Sequence, residues 1–310
     1  MEFLIGKEHN GTSVLDFLRR EIGISAAMLC HLKYIPDGIT ADGSHVTVRH
    51  ILREGELLCI KAEDSEASPN IVPSDIMLDV SYEDSELVVP NKPPYMPTHP
   101  SHGHFDDTVA NALCHRYRND STPFVFRPIN RLDRNTSGLL LIARNRMAAA
   151  RLTESLRGGM IEKEYVAILD GVLPSESGEI EGYIKRAEKS IIVRCVCGAD
   201  EGGDFALTRY RVIFSNGKNT VVAATPVTGR THQLRVHFSH VGAPIVGDDM
   251  YGHESEHIGR HALHSSRLSF PCPKSAERIS VSADLPSDMT RLLGVLFSEE
   301  EQKEIFSRLS

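Results

Sequence analysis

The sequence predicts an α+β protein: a mixed, largely antiparallel sheet with flanking helices, preceded by a small α/β unit. Three observations predict it. Strand and helix patterns alternate without the regular β-α-β rhythm of a parallel, doubly wound sheet. An acidic segment with Pro, Ser and Asn but no apolar period, 63–75, reads as a linker between residues 1–62 and the rest. The 310 residues, 41% hydrophobic and 25% charged, have globular proportions and length for one or two packed cores. Disorder, collagen and coiled coil are thereby excluded as the main architecture.

In the small unit, Thr12 or Ser13 caps a helix over VLDFLRRE, Gly23 stops it, and Ser25 caps a second over AAMLCHLK. Alternating stretches at 45–48 and 57–61 read as strands, with turns at Asp42-Gly43 and Glu54-Gly55. Within 76–296, strand patterns fall at 86–89, 137–143, 164–169, 190–197, 207–214, 219–225 and 278–282. Helical patterns fall at 107–118, 145–157 and 231–240; the second has Asn145 as cap, Met147, Leu152 and Leu156 on an inner face, and Gly158-Gly159 as its stop. The acidic end, 297–310, reads as a short helix or a solvated tail. No repeat of 20 to 50 residues is present.

No run approaches the roughly 20 apolar residues that span a bilayer, and the N-terminus carries charges where a secretory signal has an apolar stretch. A cytoplasmic protein is expected. Cys30, Cys59, Cys114, Cys195, Cys197 and Cys272 make neither a disulfide framework nor a paired C-x-x-C zinc signature, and are expected as reduced, mostly buried thiols.

A net charge of -8 argues at first against a nucleic-acid partner. Its distribution argues otherwise. Residues 64–90 carry seven acidic side chains and no basic one, which accounts for nearly all of the deficit. By contrast, 127–157 holds seven arginines against only Asp133 and Glu154. Arginine concentrated in this way, without lysine, suits a phosphate surface.

The stretch RPINRLDRNTSGLLLIAR, 127–144, places Asp133 between Arg131 and Arg134, ahead of a small polar turn that feeds an apolar strand. A carboxylate among guanidinium groups has its charged form favoured and is available as nucleophile or base, although the spacing alone favours an ordinary surface ion pair, since exposed Arg-Asp pairs are common. The stretch TGRTHQLRVHFSHVG sets Arg230, His232, Arg235 and His237 around a helix start, a ready site for a phosphate or for a partner carboxylate such as Asp133. An amphipathic helix with a polar face would look the same. Glycine-rich phosphate loops are absent.

These two stretches, with IEKEYVAILDG at 161–171 between them, resemble the RluA family of pseudouridine synthases in order and separation. YEDSELVVPNKPPYMPTHPS at 82–101, GDDMYG at 247–252 and LHSSRLSFPCP at 263–273 resemble further family segments, so the similarity covers roughly 80–290. The resemblance implies that Asp133 is the catalytic aspartate, Tyr165 the tyrosine that stacks on the target base, Arg235 the arginine that pairs with the aspartate, and Arg131 the one that helps displace the flipped nucleotide. Arg134, Arg230 and His232 would add RNA contacts. Asn130 departs from the usual His of the signature, and Pro90, Tyr95 and Met96 alter the opening loop. Residues 1–62 resemble, more weakly, the S-four-like RNA-binding domain carried by many members; Arg19, Arg20 and Lys33 would form its patch. The implied enzyme acts on ribosomal RNA, large subunit first, or on transfer RNA, as a monomer with no cofactor and no metal.

Two other classes are weighed. His102, His104, Asp106 and Asp107 resemble a metallo-hydrolase ligand run, but its last His and the downstream ligands are missing, so a polar loop is expected. A non-catalytic RNA-binding protein would be expected to lose the aspartate first, and Asp133, Tyr165 and Arg235 are all present.

Overall fold

The computed structural model describes residues 1–24, 26–61, 67–68, 70–188, 190–275 and 277–309. Ser25, expected as a cap, and 62–66, where the linker was expected to begin, lie outside the described residues.

The N-terminal unit contains β1 (Glu2–Leu4), α1 (Val14–Asp16), α2 (Ala26–Tyr34), β2 (Ile39–Ala41), β3 (Ser44–His45) and β4 (Leu57–Ile60), its sheet ordered β1-β4-β2-β3. Ser13 is the cap of α1, its hydroxyl accepting from the Asp16 amide. The expected single helix becomes one turn followed by a wider turn over Phe17–Glu21, which directs Phe17 and Leu18 together into the core. Asp42 and Gly43, both at positive φ, make the tight β2–β3 hairpin. The strand expected over 45–48 ends at His45, because the Thr47 carbonyl and hydroxyl turn the chain by accepting from His50 and Arg49.

The larger sheet is built from β5 (Asp79–Glu83), β6 (Leu87–Lys92), β7 (Arg127–Pro128), β8 (Ser137–Leu139), β9 (Ile142–Ala143), β10 (Glu162–Asp170), β11 (Ser177–Arg186), β12 (Arg194–Cys197), β13 (Asp204–Ser215), β14 (Asn219–Pro226), β15 (Leu263–Pro271) and β16 (Arg278–Ser282). Its main path runs β12-β11-β13-β14-β10-β15-β8-β6-β9-β7, and only β15 and β8 pair in parallel among the described strands. At that crossing Gly138 sits at φ 109, and a Cβ there would strike the Ser265 backbone, so the close approach requires glycine. Around the sheet lie α3 (Val109–Arg116), α4 (Arg146–Arg157), α5 (Gln233–His240), α6 (Ser287–Leu296) and α7 (Glu299–Leu309).

Asn145 caps α4 as the sequence predicts, with Met147 and Leu152 buried. The acidic end forms a packed helix: a Ser298/Glu301 capping box starts α7, Ile305 is fully buried, and Arg308 Nη1 donates to the Ile213 carbonyl at 2.8 Å. The later part of the expected linker lies on the large unit, where Asn111 Nδ2 donates to the Val72 carbonyl and Ile71 packs on the core. The small unit is also joined to α4, since Met147 enters its apolar core and Arg151 Nη2 donates to the Ile22 carbonyl at 2.7 Å.

The cysteine expectation fails in part. Only Cys114 is buried; Cys30 is exposed, and Cys195 and Cys197 lie on β12, which ends the main path of the sheet and so has no strand beyond it to cover them.

His264 is buried on β15 beside the Ser137 hydroxyl, and burial pushes its pKa down to about 4. His237 is lowered for the same reason. A group depressed in the folded state contributes stability that is complete above its unfolded value, near 6.5, and is lost as pH falls toward 4. The unfolding free energy should therefore drop across that window, with His264 contributing on the order of 3 kcal/mol. Urea titrations at pH 7, 5.5 and 4 check this. His264→Asn should be less stable at pH 7 but show a shallower fall, and an unchanged slope would remove His264 as a source.

Candidate active site

One cavity of about 460 Å³ collects most of the predicted residues: Arg131, Asp133, Tyr165, Arg230, His232 and Arg235 all line it. Asp133 enters from the loop between β7 and β8, whose turn is closed by the Thr136 amide donating to the Asp133 carbonyl at 3.1 Å. Two buried cations hold the next two carbonyls. Lys92 Nζ donates to Arg134 O at 2.9 Å and also to the Pro93 and Met96 carbonyls. Arg260 Nη1 donates to Asn135 O at 3.1 Å, while its other face pairs with Asp288 of α6. Burial pushes the Lys92 pKa down to about 7, whereas its three carbonyl acceptors favour the ammonium form.

Arg235 reaches the site from α5. Its Nη1 lies 3.6 Å from Asp133 Oδ2, the expected pairing. Its stronger partner is Asp248, to which Nε and Nη2 donate at 2.7 Å each in a bidentate pair, with the guanidinium 4.9 Å over the Tyr251 ring. Burial opposes the arginine's charge, but the Asp248 bonds, with Asp133 behind them, outweigh it and raise its pKa. His232, expected as an RNA contact, lies with Nε2 3.8 Å from Asp133 Oδ2. Its backbone is left-handed, at φ 59, a strained conformation for a side chain of this kind, and Nδ1 is held by the Tyr251 hydroxyl at 2.7 Å. Burial lowers its pKa, with Asp133 pulling the other way.

Tyr165 is almost fully buried on β10, at a bulge in the pairing with β15 that re-aims the strand locally. Burial raises its phenol pKa well above the ordinary value, so it keeps its proton at neutral pH. Lys163, two residues earlier, lines the same cavity, and burial lowers its pKa. Among the remaining predicted contacts, Arg134 is exposed beside the cavity and donates to the Tyr95 carbonyl, and Arg230 donates to the Phe205 carbonyl at the rim. Arg19, Arg20 and Lys33 are exposed on the N-terminal unit, and Arg20 lies 3.4 Å from Asp16. Asn130 lines the cavity, its Oδ1 accepting from the Leu141 amide at 2.7 Å.

The residues of the alternative metal reading do not gather. His104 Nδ1 lies 2.6 Å from Asp107 Oδ2, and no group of three or more potential ligands occurs among the described residues. His99 instead lines the cavity and packs edge-on against Phe126. Sequence reasoning assigned no role to Lys92, Lys163, Arg260, Asp248 or Asp288. Asp248 had a local signal, a Gly-flanked turn ending in Tyr251; Lys92, Arg260 and Asp288 owe their positions to contacts distant in sequence.

The mixed sheet thus sets a single carboxylate under a cationic rim among the described residues that line the cavity. A family model described as RNA pseudouridylate synthase matches residues 86–240. The "Uncharacterized RNA pseudouridine synthase YjbO" of Bacillus subtilis is 37% identical over 273 residues, covering 88% of this chain and 95% of the relative. The ribosomal large subunit pseudouridine synthase D of Xanthomonas campestris is 35% identical over 269 residues, covering 82% and 80%. The structure of human RNA Pseudouridylate Synthase Domain Containing 1 superposes with a TM-score of 0.56 at 28% identity, covering 67% of this chain and 83% of the human one. The chain belongs to the RNA pseudouridine synthase family, isomerases that act on RNA.

Proposed function

We propose that the chain converts specific uridines to pseudouridine in large-subunit ribosomal RNA, with transfer RNA as the other substrate class. One observation carries the mechanism: Asp133 is the only carboxylate among the described residues lining the cavity. The reaction breaks the bond from ribose C1′ to uracil N1, turns the base, joins C1′ to C5, releases the C5 proton to solvent and leaves N1 carrying a proton taken up in exchange. It is redox-neutral and needs one carboxylate, acting on the ribose as nucleophile or as base. Arg235 holds that carboxylate, Tyr165 stacks on the extruded base, and Arg131 takes the place the base leaves in the RNA stack. Arg134, Arg230 and His232 bind the RNA around it. Extruding a base costs a few kcal/mol, offset by stacking and phosphate contacts.

Residues 1–62 act as an S-four-like RNA-binding unit through Arg19, Arg20 and Lys33, and the protein works as a cytoplasmic monomer without metal or cofactor. The large-subunit target is supported by the names of the Xanthomonas and Pseudomonas relatives, both ribosomal large subunit pseudouridine synthase D. Among the described residues, no helix is long and apolar enough to cross a membrane.

Pseudouridine mapping of total RNA with and without the gene tests the reading. One or a few positions in large-subunit RNA should revert to uridine. Loss confined to transfer RNA would change the substrate, and an unchanged map would overturn the proposal. Turnover should also persist in chelator; inhibition reversed by zinc would favour the metal reading of His102 and His104.

A further inference from the structure

A groove of about 840 Å³ runs between the N-terminal unit and α4. Its charge is one-sided: Arg19, Arg127, Arg146 and Arg157 line it against Glu154 alone. Four arginines beside one carboxylate, in a chain of net charge -8, form a concentrated cationic surface. Gly23, Ala149 and Ala150 supply small residues along it, leaving room for a ligand between the guanidinium groups.

The groove and the catalytic cavity are lined by residues adjacent in the chain. Arg127 precedes Pro128, and Arg157 follows Leu156; Pro128 and Leu156 line the cavity, so the chain crosses from one depression to the other at two points. Arg19 and Arg157 are exposed, and neither has an ion-pair partner among the described residues. The two units are joined here by Met147 and by the Arg151–Ile22 bond, which hold Arg19 near the arginines of α4.

We propose that this groove binds the phosphate backbone of the RNA strand flanking the target nucleotide, using guanidinium groups from both units. The inference rests on RNA being the substrate in the cavity. Arginine forks match phosphate oxygens bidentately, and the nucleotides that flank one held in the cavity are the ones that meet residues adjoining Pro128 and Leu156, namely Arg127 and Arg157. The surface thus lengthens the footprint beyond the target loop. It favours substrates whose helix continues toward the N-terminal unit.

The test uses the full chain and two RNAs, a target stem-loop and the same stem-loop extended by flanking helix. Arg19→Ala and Arg157→Ala, singly and together, avoid Arg151 and so leave the junction intact; an unchanged unfolding midpoint verifies this. For the extended RNA the double variant should bind roughly tenfold more weakly at moderate salt. Its slope of log affinity against log salt should fall by about 0.7 to 0.9 per lost contact. Arg157→Lys should recover part of the loss, because the charge remains while the fork does not. Equal affinity and equal slope for wild type and double variant on the extended RNA would overturn the proposal and leave the groove to an acidic protein partner. A loss of the same size on both RNAs would also overturn it, since the groove would then act within the target loop. Failure of the catalytic reading shows separately, as absent turnover by the wild type on either RNA.

Discussion

Asp133→Asn should abolish turnover and leave the protein folded. The amide has nearly the same shape, yet it can neither attack the ribose nor take a proton from it, so the rate should fall by more than about 10³-fold. Stability should change little. The carboxylate is partly exposed, and its contacts to Arg235 and His232, at 3.6 and 3.8 Å, are longer than hydrogen bonds. Arg235 keeps its bidentate bond to Asp248, so no buried charge is orphaned, and a loss of about 1 kcal/mol or less is expected. The substitution also leaves the arginine rim in place, and RNA affinity should persist. Tritium release from RNA labelled at uracil C5 measures the outcome. Residual activity within tenfold of wild type would remove Asp133 as the reacting carboxylate and, with it, the role proposed for the cavity.

The parts of the fold legible in the sequence are those whose signal is local. Asn145, the Met147/Leu152 face and Gly158-Gly159 define α4 within a dozen residues, and the structure reproduces them. Strands β11 and β15 leave no clear strand pattern in the sequence because their alternation is broken by the residues they carry. β15 buries His264, Ser265 and Ser269, and His264 Nδ1 and the two serine hydroxyls pair across the sheet with Ser137, the Leu139 carbonyl and Ser280. β11 carries two glycines and alternates only weakly. The same division holds in the site. Asp133, Tyr165 and Arg235 lie in stretches whose residue types declare a chemistry. Lys92, Arg260 and Asp288 act through contacts 28 to 125 residues away, with Lys92 holding Arg134 O and Arg260 holding Asn135 O and Asp288. A lysine after Asn91 or an arginine before His261 has no periodicity that foretells which carbonyl it will reach. The acidic end was ambiguous because the SxxE capping box and the Ile305 anchor are weak signals against a run of glutamates.

Arg235→Met should cost both stability and rate, and the two losses can be separated. Asp248 is completely buried, and without the guanidinium it becomes an uncompensated charge inside the protein; such a loss costs about 3 to 5 kcal/mol. Methionine fills much of the volume but supplies no donor. Changing Asp248 as well, to Asn, removes the orphaned charge while keeping an oxygen to accept the Met250 and Tyr251 amides that Asp248 Oδ1 now takes at 3.2 and 3.1 Å. The double variant should therefore recover most of the unfolding free energy lost in Arg235→Met, read as the shift of the urea midpoint. Its turnover should remain low, because Asp133 still lacks the cation 3.6 Å away. Recovery of stability and rate together would mean that Arg235 serves only to balance Asp248. Recovery of stability alone assigns its Nη1 to holding the Asp133 carboxylate in the position from which it reaches the ribose.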